Sequence, residues 1–208
     1  MRVESAAAEL GYSVNSVARS MVTGQTMTLG ALIADVSNPF FARVIRGFTD
    51  GARAAGYDVV LVNTDETVDT EAHGLQLLIE KRVDGILVAP ASLERHDHLD
   101  SALDRGQALV QVDRFIPDLD TDVVVVDNYE AGLRAVRLVI AAGHTRIAAP
   151  ILRTKGPDGR ANLISTMVER HQGYRDAMSE AGLVVPSIYT PGAHGRSEVR
   201  TAVTQMLS

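Results

Sequence analysis

Residues 28–63 read TLGALIADVSNPFFARVIRGFTDGARAAGYDVVLVN, and this stretch decides the fold. The apolar run at 29–34 predicts a strand. Phe41, Val44, Ile45, Phe48, Ala52 and Ala55 then recur at helical spacing, and Gly56 stands where a C′ glycine ends a helix. A second apolar, β-branched run follows at 58–63. Strand, helix, strand in that order is the unit of a parallel sheet joined by crossover helices.

The unit repeats outward along the chain. Further strands are predicted at 84–89, 108–112, 123–126, 146–149 and, with a weaker pattern, 187–190. Most are uniformly apolar, as strands covered on both faces should be. Helical periodicity returns in Leu75, Leu78 and Ile79, in Leu133, Val136, Val139 and Ile140, in Tyr174, Ala177, Met178 and Ala181, and in Val199, Ala202, Val203 and Met206. A more polar helix is predicted near 95–105. The segment LRTKGPDGRANLIS, near 153–165, mixes Gly, Pro and charge without a period, and a division between two subdomains is expected there.

Composition removes several classes of function. With 208 residues, 46% of them hydrophobic and 22% charged, the chain is long enough for a buried core. Twenty Lys plus Arg against 26 Asp plus Glu give a formal charge of -6, so no overall positive field draws it to nucleic acid or anionic lipid. Any DNA contact must be local. With no Cys there are no disulfides, thiolate nucleophiles or Cys-ligated zinc sites. No apolar run approaches the roughly 20 residues that span a bilayer, and no basic, then apolar, export signal follows Met1. A cytoplasmic protein without a membrane partner is expected.

Seven motifs, in order, carry a resemblance. They are YSVNSVARSM (12–21), TLGALIADVSNPFF (28–41), VDGILVAP (83–90), VDR (112–114), VDN (126–128), AGHTRI (142–147) and RHQGYRDA (170–177). Together they resemble the LacI/GalR family of bacterial transcription regulators across almost the whole chain. The resemblance implies an α/β fold: a periplasmic-binding-protein-like (type I) effector core of two parallel-sheet subdomains, preceded by a helix-turn-helix headpiece and a hinge helix. Residues 1–12 then correspond to the last headpiece helix, 13–26 to hinge helix and linker, 27–152 to the first subdomain and 153–208 to the start of the second. Residues 2–10 resemble only that last helix, and Ser208 falls where the family continues, so a chain truncated at both ends is expected. Of these 208 residues, weak and non-specific DNA binding is expected, and apolar edges that later segments would cover should lie exposed.

The resemblance also assigns residues. Asn15, Arg19 and Met21 fall on the hinge, where Met21 would wedge into the minor groove and Arg19 meet phosphate. Val14 departs from the proline common in the family two residues after the hinge tyrosine. Effector residues are expected at the carboxyl ends of the strands, where loops converge on the crevice. Asp35, Asn38, Phe40 and Phe41 follow the first strand, Asp113 and Arg114 the fourth, Asp127 the fifth, and Arg170 reaches in from the second subdomain. Carboxylates and amides suit hydroxyl groups, and an aromatic face suits the apolar side of a sugar. Phe41 also begins the buried stripe of its helix, so Phe40 is the better ligand contact.

The implied function is ligand-responsive, DNA-binding transcription regulation, in the commonest case as a repressor. The implied partners are operator DNA for the full-length form, a second copy in a homodimer, and a small effector, a sugar being the usual choice. No cofactor, metal or catalytic residue is assigned. The His96–Asp97–His98 triplet places its histidines on different helix faces, and His144 reads as a turn residue. The competing reading is a sugar- or solute-binding protein of a transport system without a DNA role, which needs an export signal. An α/β enzyme is disfavoured because ADVSNPFF after the first strand has no phosphate-cradling glycine pattern and no GxSxG elbow is found.

Overall fold

The computed structural model describes residues 23–149, 154–155, 161–186, 200 and 204. Five strands form a parallel sheet: β1 (Thr28–Ile33), β2 (Asp58–Asn63), β3 (Gly85–Val88), β4 (Leu109–Val112) and β5 (Asp122–Val124). Their order is β2-β1-β3-β4-β5. The connection leaving β1 runs to one side of the sheet and the one leaving β3 to the other, so the topological switch point lies between these two strands.

Helices cover both faces. α1 (Pro39–Ala54) starts where Asn38 accepts from the Phe40 amide and Pro39 supplies a preset φ at the first position. Its Phe41 packs with Ala31, Ile33, Leu87 and Val112 on one face. α2 (Val68–Glu80) and α3 (Asp97–Asp104) bring Leu75, Leu78, Leu99 and Ala102 against Leu32, Ile86 and Val88 on the other. Alternate residues of β1 thus enter opposite cores, which is why Ala31, Leu32 and Ile33 are apolar and buried in succession.

The root of β1 is fastened to its neighbour. The Asp84 carboxylate accepts from the Thr26 amide at 2.9 Å, the Met27 amide at 2.8 Å and the Thr26 hydroxyl at 3.2 Å. The Glu71 carboxylate, 1% exposed, ties α2 to the loop after β3 through the Ala91 amide at 2.8 Å and to α3 through His98 at 2.8 Å. His96 faces Asp100 instead, at 2.7 Å, so the two histidines of the triplet serve different contacts.

A third core is separate from the sheet. Leu133 and Val136 of α4 (Asn128–Ala141) pack on Tyr174, Ala177 and Met178 of α5 (Ser165–Glu180). α4, which precedes the division expected near 153, therefore shares its core with the helix beyond it. Near that division a short antiparallel ladder pairs β6 (Thr154–Lys155) with β7 (Ala161–Asn162).

One expected strand is corrected. Residues 146–149 lie in no ladder of the described structure. The Tyr174 hydroxyl donates to the Ile147 carbonyl at 2.9 Å, and Ile147 and Ala149 pack on the α4–α5 cluster, so this run serves that core. β5 borders the sheet as described, and Val123, Val124, Val125 and Val126 are exposed. The strand expected at 187–190 lies outside the described residues, as does most of the helix expected over Val199–Met206.

Candidate functional site

The loops leaving β1 to β5 gather at the carboxyl edge of the sheet. After β1 the chain turns sharply. The Asp35 carboxylate accepts from the Ser37 amide at 2.8 Å and its hydroxyl at 2.7 Å, which holds the carboxyl below its ordinary range. The Val36 amide donates to Asn63 Oδ1 at the end of β2, at 2.9 Å. Asn38 uses Oδ1 to cap α1 at 3.0 Å and keeps Nδ2 uncommitted among the described residues.

Phe40 and Phe41 divide their work. Their rings meet edge to face at 5.2 Å, but Phe41 is 2% exposed and Phe40 39%. Phe41 is a core residue whose ring also underlies the Arg114 guanidinium, 5.8 Å from its centroid. Phe40, at the start of α1, keeps its ring partly exposed.

After β4, Asp113 takes a left-handed backbone conformation, φ 66°. Its amide donates to the Val124 carbonyl at 3.0 Å, and the Arg114 amide turns back to the Val112 carbonyl at 2.7 Å. Burial pushes the Asp113 carboxyl up, opposed by Arg114 and Arg170, with Glu66 adding to the rise. Arg114, 4% exposed, donates to Glu66 Oε2 through Nη1 at 2.8 Å and to Oε1 through Nη2 at 2.7 Å. Nη1 also reaches the Pro90 carbonyl at 3.5 Å and Nε reaches Asp113 Oδ2 at 3.4 Å. Glu66 went unnoticed in the sequence, since an acidic residue in the turn TDET carries no signal that sets it apart from solvent-facing neighbours.

The α4–α5 unit approaches the sheet through two contacts, the Leu93 amide donating to the Leu163 carbonyl at 3.0 Å and the Phe115 amide to the Ser165 hydroxyl at 2.9 Å. Within that unit Arg170 Nε donates to the buried Asn128 Oδ1 at 2.8 Å. Asn128 in turn donates to the Val126 carbonyl at 3.1 Å. Arg170 is exposed, close enough to Asp113 to act on its carboxyl, and its terminal nitrogens are uncommitted among the described residues. Asp127 is engaged differently. Its Oδ1 accepts from the Glu130 amide at 2.8 Å and so caps α4.

The arrangement therefore joins Asn38, Phe40, Asp113, Arg114 and Arg170 around the strand ends near the switch point. It presents amide and guanidinium donors, carboxylate acceptors and one aromatic ring, the groups that bind hydroxyls on an apolar ring. Asp35 and Asp127 stand in the same loops with part of their capacity used locally. Asn15, Arg19 and Met21 lie outside the described residues. Among the described residues no group of three or more His, Asp or Glu is placed to hold a metal ion, and no helix is long and apolar enough to cross a membrane.

Residues 26–208 match the family described as periplasmic binding proteins and sugar binding domain of LacI family. The chain is 34% identical over 193 residues to the ribose operon repressor of Escherichia coli, covering 90% of this chain and 54% of the relative. It is 35% identical over 184 residues to the transcriptional repressor PurR of Aliivibrio salmonicida, covering 88% and 52%. Among solved structures, a LacI family transcriptional regulator from Lactobacillus casei with bound sucrose is 26% identical with a TM-score of 0.65, over 86% of this chain and 62% of that one. The chain spans about half the length of the curated relatives it matches.

Proposed function

The chain belongs to the LacI family, and from that premise we propose that it senses a small polyhydroxylated molecule, such as a sugar, for a protein that regulates transcription. The observation that carries this reading is the meeting of Asn38, Phe40, Asp113 and Arg114 from the sheet with Arg170 from the α4–α5 unit. A ligand taken between them touches both bodies at once. It binds best at one separation and so favours that arrangement over others.

We place the border between the two bodies at residues 124–128, between β5 and α4, because α4 packs with α5. The ligand's hydroxyls would donate to Asp113 and accept from Asn38 Nδ2 and Arg170, while Phe40 covers the apolar face of the ring. In the full-length protein, hinge residues Asn15, Arg19 and Met21 would meet operator DNA from a homodimer, and closure about the ligand would alter their spacing. Ligand and DNA then change each other's affinity by the same factor. The activity is binding rather than catalysis, and the cytoplasm is the compartment where operator DNA is found.

Two features favour regulation over transport. The ribose operon repressor and PurR are named as regulators, and the sequence YSVNSVARSM resembles a hinge. The test is titration calorimetry of the full-length protein with a panel of free pentoses, hexoses and disaccharides, with and without operator DNA. Saturable binding that is lost in Arg170→Gln and whose affinity shifts with DNA is expected. Affinity that is equal in both conditions would remove the allosteric reading.

A further inference from the structure

Two of the five non-glycine residues with positive φ among the described residues flank one guanidinium. They are Glu66 (φ 61°), which follows a third, Asp65 (φ 51°), and Asp113 (φ 66°), and Arg114 lies between Glu66 and Asp113. Each such backbone costs on the order of 1 kcal/mol and persists only where the surroundings enforce it. Here two successive left-handed residues after β2 aim the Glu66 carboxylate at both terminal nitrogens of Arg114. Asn63 Nδ2 donates to Asp65 and braces the turn from behind.

We infer that Glu66 sets the charge selectivity of the crevice: by occupying Arg114 it makes the site one for an uncharged polyol and against a phosphorylated one. The inference rests on the crevice reading above, and it does not depend on which sugar is bound. A phosphate seeking Arg114 would have to break a two-point charged pair that is already withdrawn from water. It would also meet the carboxylates of Glu66 and Asp113, both of which already act on Arg114. A hydroxyl needs no such displacement, because it can use Asn38 Nδ2, the free Asp113 oxygen and the Arg170 terminal nitrogens while the Arg114–Glu66 pair stays closed.

The experiment uses full-length protein and inorganic phosphate as the probe, by calorimetry at constant ionic strength. Wild type should show no saturable binding up to about 10 mM, and E66Q should bind phosphate at least ~10-fold more tightly, the gain disappearing in E66Q/R114Q. Sub-millimolar phosphate binding by wild type that is lost in R114Q overturns the inference, as does unchanged affinity in folded E66Q. Should E66Q not fold, wild type titrated with ribose and ribose 5-phosphate, and with fructose and fructose 1-phosphate, still decides. Tighter binding of a phosphorylated member overturns the inference, whereas preference for the free member supports it. If no free sugar binds, the sugar reading fails, while the phosphate titration by itself supports or overturns the role of Glu66.

Discussion

Arg170 Nε donates to Asn128 Oδ1 at 2.8 Å, and through this bond the second turn of α5 is fixed to the first turn of α4. Asn128 is 1% exposed, so the bond is withdrawn from water. Asn128→Ala frees the Arg170 side chain to wander and removes a buried acceptor. It should weaken ligand binding by about 10-fold and lower stability by about 1–2 kcal/mol. Paired calorimetry and urea unfolding check both numbers. A full loss of stability with undiminished affinity would show that the bond serves packing alone.

The two helices approach until backbone meets backbone. A Cβ at Gly173 would stand 2.3 Å from the Tyr129 carbonyl oxygen and 2.6 Å from the Leu133 nitrogen, and one at Gly132 2.4 Å from the Arg170 carbonyl oxygen. Main chain cannot swing aside as a side chain does. Gly173→Ala should therefore cost about 2–3 kcal/mol and spoil the placement of Arg170. Gly47 in α1 has nothing within 4 Å, so Gly47→Ala should instead gain about 0.5–1 kcal/mol. Melting curves of the two variants should move in opposite directions.

Adjacent phenylalanines should respond in different assays. Phe41→Ala empties a core position and should cost about 3–5 kcal/mol. Phe40→Ala, at a side chain 39% exposed, should leave folding within about 1 kcal/mol and reduce sugar affinity by about 10-fold. Thermal melts and ligand titrations on the same preparations separate the two. Equal losses of stability would mean that Phe40 is packed rather than offered to ligand.

Acid should reveal Asp113. Its carboxyl is raised above the ordinary 3.8 by burial, so the fold prefers the protonated form. Stability from this group is complete below its unfolded pKa and is lost as pH rises through the higher folded value. At neutral pH the ionised carboxylate is thus a cost, and Asn accepts the left-handed backbone equally well. Asp113→Asn should melt about 1–3 °C above wild type at pH 7, the gap closing as pH falls toward 4. Scanning fluorimetry across that range checks the sign, and a gap that widens in acid would reverse it.

Legibility in the sequence followed the physics of each signal. β2 lies at 58–63 as its β-branched run VVLV predicts, although it stands at the edge of the sheet and is only partly buried. The 146–149 run, Arg-Ile-Ala-Ala, holds a single β-branched residue and lies in no ladder of the described structure, a weaker signal than VVLV in β2. Motif order singled out Asp113 and Arg114 after β4 and Arg170 in α5, and Arg170 stands close enough to act on the Asp113 carboxyl. Glu66 and Glu71 escaped notice because their roles come from backbone angles and from neighbours 48 and 27 residues away, which no local pattern records. The burial of Phe41 was readable from helical spacing alone.

Asp84 moors the first strand by its root. Because one carboxylate holds two successive amides and a hydroxyl, tension arriving along the backbone from upstream passes sideways into β3 before it can peel the β1 ladder. The innermost strands of the sheet therefore share a load path, and the domain receives a pull at its upstream end as a block rather than by unravelling from its first residue.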